Sequence, residues 1–171
     1  AKTTITLPSF GLTDPGADKT IMWDDSASAL TIAGQLGVTA VSQWRLSTSF
    51  TDSADPIQSN LEEVDTDGYG KIGSAMAVSS GIWTFPSTGY WLIDAHLEFY
   101  LNGDSRYNQV AINTTTDNSS YSDAARGDAF MQQTQSNNTH THARTAFLFD
   151  VTNTTNCKCK ISTNMSNSST T

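Results

Sequence analysis

From Trp91 to Leu101 an apolar residue stands at every second position. Trp91, Ile93, Ala95, Leu97, Phe99 and Leu101 fall on one face, and Tyr90, Asp94, His96, Glu98 and Tyr100 fall on the other. Six apolar residues at a period of two describe a half-buried β-strand, because a helix would scatter them around its axis. Composition points the same way. Ser, Thr and Asn supply 57 of 171 residues, while Glu and Lys, which favour helices, total eight. Thr stiffens extended backbone, and Asn, Ser, Asp and Gly close turns. With 37% hydrophobic residues the chain has the apolar surface for a core, so an all-β fold is expected.

The other strands follow from the same alternation. Gln43–Phe50 places Trp44, Leu46, Thr48 and Phe50 together, and shorter strands are expected over Gly68–Met76 and Gly81–Phe85. After the long strand, Asn102-Gly103-Asp104 reads as a hairpin turn leading into Arg106–Thr115. A strand is expected over Ala129–Gln135. Another, Thr141–Val151, turns Ala143, Thr145, Phe147, Phe149 and Val151 inward. A last, Asn156–Thr163, places Cys157, Cys159 and Ile161 on one face. Seven or eight strands joined by polar turns describe a sandwich or jelly roll over 41–171. Residues 1–40 differ: short extended pieces at Thr4–Leu7, Thr20–Trp23 and Ala29–Ala33 sit among Pro and Gly. They read as an extended arm ordered by packing on a partner. Asn164–Thr171 reads as a polar tail, so either the sandwich ends early or a closing strand lies beyond it.

Charge excludes some roles. The net charge of −8, with nine basic residues scattered along the chain, argues against nucleic-acid binding, which needs Lys and Arg against phosphate. No apolar run approaches the length of a membrane helix, and Ala1–Thr4 lacks the apolar core of a signal peptide. Cys157 and Cys159, at i and i+2 of a strand, would hold their Cβ atoms about 6–7 Å apart, too far for a disulfide. Synthesis in a reducing cytoplasm is expected.

Two segments carry a resemblance. Asp18-Lys19-Thr20-Ile21-Met22-Trp23-Asp24-Asp25-Ser26-Ala27 is similar to a short element that precedes the body of bacteriophage fibre proteins. Gly81-Ile82-Trp83-Thr84-Phe85-Pro86-Ser87-Thr88-Gly89-Tyr90-Trp91, with the long strand after it, resembles the F-x-x-x-G-x-Y core of C1q/TNF-like jelly rolls, in the form found in virion proteins of marine and cyanobacterial phages. The likeness runs from Ser42 to Thr163. It implies a C1q/TNF-like jelly-roll sandwich with an extended N-terminal arm, assembled as a homotrimer on the particle. Ile21, Trp23, Asp24 and Asp25 are then the expected residues of virion attachment. The family's apolar closing strand has no counterpart in Asn164–Thr171.

His96, His140 and His142 lack a G-x-S-x-G elbow to serve, and the adjacent pairs Asp24/Asp25 and Glu62/Glu63 point to opposite faces if extended. Catalysis is not expected. Glu63-Val64-Asp65-Thr66-Asp67-Gly68 has the spacing of the first half of a calcium loop, with Asp65 and Asp67 as ligands, but Ser74 stands where the bidentate Glu belongs. A capped turn is the preferred reading. His140 and His142 share a strand face. On a threefold axis they would gather six nitrogens, suited to an octahedral transition metal. The same face continues through Arg144, Ala146 and Leu148, which reads as a subunit-contact or solvent face and is preferred. The Asp117–Arg126 segment is rich in Ser and Asn and carries Tyr121. It reads equally as a recognition loop or a solvated turn. Tyr107, Asn118, Tyr121 and Arg126 are the candidate glycan-binding residues.

These expectations describe a non-enzymatic virion protein, a trimeric fibre or spike made in the host bacterial cytoplasm. It would attach to other virion proteins through 1–40 and present its jelly roll to host-surface glycan. A capsid cement protein with no receptor, and a soluble C1q-like carbohydrate-binding or glycan-cleaving module, are the alternatives. No cofactor, nucleic acid or membrane is expected.

Overall fold

A computed structural model describes residues 20–24, 29–33 and 37–171. The chain divides into two compact units, 1–39 and 40–171. In the first, β1 (Thr20–Asp24) pairs antiparallel with β2 (Ala29–Ala33), Ile21 opposite Ile32 and Trp23 opposite Leu30. The expected strand at Thr4–Leu7 and the attachment candidate Asp25 lie outside the described residues.

The second unit is all-β and antiparallel. Its strands are β3 (Trp44–Leu46), β4 (Leu61–Glu63), β5 (Ala77–Ser79), β6 (Ile82–Thr84), β7 (Gly89–Leu101), β8 (Ser105–Thr115), β9 (Ser122–Met131), β10 (Thr139–Val151) and β11 (Lys158–Met165). Five of them form one sheet in the order β5-β6-β11-β8-β9, and β10 pairs with β7 along all 13 residues. β3 and β4 form a short pair. The pairings nest: β8 with β9 innermost, β7 with β10 around them, and β6 with β11 outermost.

The alternation of β7 holds as expected. Ala95, Phe99 and Leu101 are buried, Ile93 and Leu97 pack against the same core, and Tyr90, Leu92, Asp94, His96 and Glu98 are exposed. β10 turns Ala143, Phe149 and Val151 inward against them. From the five-stranded sheet come Val110 and Ile112 of β8, with Met165 of β11, to close one apolar cluster. A second gathers Trp83, Phe85, Phe149, Val151, Cys157 and Cys159. There Trp44 meets Trp83 edge-on with ring centres 4.9 Å apart, and Phe85 lies 5.4 Å from Trp91 and 5.6 Å from Phe149.

Two glycines set tight features. Ser80 and Gly81 both take positive φ (50° and 77°) in the two-residue turn between β5 and β6, the geometry whose twist matches a hairpin. At Gly127 a Cβ would stand 2.2 Å from the Arg144 carbonyl oxygen, so β9 touches β10 backbone to backbone. Its inward residues Ala125, Gly127 and Ala129 are small, which permits that approach, and Met131 at its end enters the core.

Several expectations are corrected. β7 and β8 are not a hairpin: Asn102–Asp104 carries the chain from one sheet to the other, where β7 pairs with β10 and β8 pairs with β9 and β11. Gly68–Met76 forms no strand, only a bridge from Ile72 to Val41. The strand expected at Ala129–Gln135 runs over Ser122–Met131, taking half of the segment read as a loop. Asn164–Thr171 is not a free polar tail. Met165 ends β11 in the core, Thr170 is fully buried, and Thr171 exchanges both backbone hydrogen bonds with Tyr100.

Candidate functional site

The outer face of the five-stranded sheet carries a cleft. Its outward residues are polar: Gln109 and Asn113 from β8, Ser162 and Asn164 from β11, with Ala111 as the one apolar spot between them. Asp123 and Arg126 of β9 rise on one side and Ser53–Asp55 on the other, enclosing a cleft of about 420 Å³. The segment from Ser53 is held there by backbone bonds between Ala54 and Thr163, both ways, and from Ile57 to Ile161.

A hydrogen-bonded chain fixes the floor. Ser162 Oγ donates to Asn113 Oδ1 at 2.7 Å, Asn113 Nδ2 donates to Asp123 Oδ1, and Arg126 donates to the other carboxylate oxygen of Asp123. Asn113 is only 7% exposed, so its orientation is set by these partners and not by solvent. At the rim, Lys160 pairs with Asp55 at 2.6 Å and its ammonium lies 5.1 Å from the centre of the Tyr121 ring.

Alternation extends this face along β8 and β9. Tyr107 lies two residues before Gln109, and Phe130 two residues after Asp128, the register partner of Gln109. Phe130 is 70% exposed and Tyr107 39%. The structure therefore brings Tyr107, Tyr121 and Arg126 to one sheet face. Asn118 sits apart, in the β8–β9 turn at φ 60°, with its N–H on the Asn156 carbonyl. Sequence reasoning missed Gln109, Asn113, Asp123, Ser162, Asn164 and Phe130. The polar residues interleaved with Val110 and Ile112 were the available signal.

The β8–β9 turn is built around Asp117. Its carboxylate accepts from the N–H groups of Ser120 at 2.7 Å and Ser119 at 2.9 Å, and from Thr115 Oγ1 at 2.7 Å. These donors, Ser120 first, hold it far below the usual aspartate range. Since the folded value lies below the unfolded one of about 3.9, the turn is fully supported above that pH and loses support as pH falls through the lowered value. Carboxyl-carbon NMR should find Asp117 still ionised at about pH 3, where an ordinary aspartate is mostly protonated. Titration with a midpoint near the ordinary value would contradict the capped geometry.

The outer face of the β7–β10 pair is the second feature. At one end Leu92 stands opposite Leu148, 70% and 61% exposed, beside Tyr90 at 74%. Leu92 was not singled out from the sequence. Toward the other end the face becomes charged: Arg144 clamps Asp94 with two nitrogens, raising its own pKa and lowering that of Asp94. His140 Nδ1 lies 2.6 Å from Glu98 Oε1 with its ring stacked on Tyr100, and His142 lies beside His96 with ring centres 5.4 Å apart.

The remaining candidates are placed as follows. Asp65 accepts from Arg45 at 2.6 Å, in a cluster that also holds Glu62, while Asp67 sits in the turn before Gly68. Among the described residues no group of three or more His, Cys, Asp or Glu side chains is arranged to hold a metal ion. Cys157 and Cys159 are unbridged and buried, and burial pushes the Cys159 thiol up to about 12. It is a core hydrophobe and not a reactive thiolate. Ile21, Trp23 and Asp24 lie on β1. No family model matches the chain, and no curated protein matches it.

Proposed function

We propose that this chain is a non-enzymatic structural protein of a tailed-phage virion. In this reading 41–171 is a C1q/TNF-like jelly roll, 1–40 is an extended arm that attaches it to the particle, and three copies assemble as a fibre, spike or decoration. The nested pairing supports the jelly roll, since three antiparallel pairs, one inside another, are what a rolled-up long hairpin produces. The observation that carries the assembly is the Tyr90–Leu92–Leu148 patch. Leu92 and Leu148 stand opposite each other on one sheet face beside Tyr90, and large apolar side chains grouped in this way are covered when copies meet. The polar cleft then faces away from the particle, where host-surface glycan is the expected ligand. Three linked weak sites would gain avidity.

Leu92→Asp and Leu148→Asp test the assembly face. They are made singly, so that two carboxylates do not oppose each other across the pair. Each should leave the fold intact, because both residues are exposed within one chain. Each should weaken self-association about a hundredfold, since every copy would bury an unpaired charge. Unchanged association by sedimentation would move the contact elsewhere.

A further inference from the structure

We propose that the cleft on the five-stranded sheet binds a short, uncharged oligosaccharide, with Gln109, Asn113 and Asn164 as its hydrogen-bonding floor and Phe130 with Tyr107 as the stacking end. This rests on the glycan-binding reading above and narrows it to a place and a chemical class.

Size comes first. About 420 Å³ lies within the range of small-molecule sites and is open along the sheet. Charge comes second. The two basic groups nearest the cleft already hold carboxylates: Arg126 is bound to Asp123, and Lys160 to Asp55. An anionic sugar would have to displace one of these carboxylates, against a chain of net charge −8. The Gln109 and Asn164 amides have no side-chain hydrogen bond among the described residues, so they remain free to donate and accept at once. That pairing of functions matches a sugar hydroxyl, which also does both. The Asn113 amide is already locked by Ser162 and Asp123, so the floor is ordered before a ligand arrives. The third argument is Phe130. A phenyl ring 70% exposed on this face is largely free of packing among the described residues and, with Tyr107 on the same sheet face, offers an apolar plane to the C–H face of a sugar ring.

The full-length protein is tested by ligand-observed NMR. The probes are glucose-, galactose- and mannose-terminated trisaccharides and their uronic-acid counterparts. A neutral trisaccharide should bind with an affinity indifferent to salt. Gln109→Ala, Asn164→Ala and Phe130→Ala should each weaken it about tenfold, and Lys71→Ala should leave it unchanged. All these side chains are at least partly exposed, so folding is preserved and a thermal melt verifies it. Binding of the uronic-acid probes alone would overturn this assignment while leaving glycan recognition in place. Neutral binding lost in Asn118→Ala but untouched in the three cleft variants would likewise overturn it, moving the site to the β8–β9 turn. No binding to either set would overturn both this inference and the glycan reading, leaving assembly as the function.

Discussion

Gly127→Ala is expected to destabilise the β-domain by about 3 kcal/mol, at the upper end of what a single overpacked position costs, and to lower Tm by about 10 °C. The added methyl would sit 2.2 Å from the Arg144 carbonyl oxygen, 2.8 Å from its carbon and 3.2 Å from its nitrogen. All three are backbone atoms of β10, a strand paired along its whole length with β7, so no side chain can swing aside. Either β9 lifts off β10 or the β7–β10 pair shifts as a unit. Gly103→Ala is the control, because its Cβ would meet only the flexible end of Leu101 at 3.5 Å. It should stay within about 0.5 kcal/mol of the parent. Equal effects of the two substitutions in chemical denaturation would mean that β9 and β10 are not in contact in solution.

Phe85→Ala should cost about 4 kcal/mol. Phe85 is 1% exposed and contacts the rings of both Trp91 and Phe149, so truncation removes its own burial and two aromatic contacts at once. Trp91 is tied to the Ser87 carbonyl through its indole N–H at 3.1 Å and is poorly placed to fill the void. Phe130→Ala removes the same atoms from a ring 70% exposed and should leave folding stability nearly unchanged. Burial alone separates the two. A comparable loss for both would relocate Phe130 to an interior.

What could be read from the sequence follows the strength of each local pattern. β7 was found to its end residues because six inward side chains are apolar and five of them are large. The inward set of β10 and the burial of Cys157 and Cys159 came from the same rule. β9 was misplaced because its inward positions before Met131, Ala125, Gly127 and Ala129, are small where the strand approaches β10, and so carry almost no hydrophobic signal. The Asn102–Asp104 turn has hairpin chemistry, yet β7 and β8 part there. Strand pairing is decided by which long apolar faces can cover each other, and that is a non-local matter. β3, β4 and β5, three residues each, are too short to show a period.

The candidate site was legible only in fragments. Tyr107, Tyr121 and Arg126 were chosen as aromatic or charged residues in a polar context, but their shared face arises from the β8–β9 register and its bulge, which no spacing in the sequence reveals. Gln109 and Asn113 were visible as the polar half of an alternating strand, though nothing in them marked a cleft until Ser162 and Asn164 were placed alongside by β11. Leu92 illustrates the converse. An apolar residue on the polar side of the strongest strand was the local sign of the exposed Leu92–Leu148 pair.

Sedimentation velocity of the unaltered chain at micromolar concentration weighs that surface directly. The account predicts a single species of three times the 18.4 kDa chain mass. A stable species of one chain mass, with Leu92 and Leu148 in contact with water, would contradict it.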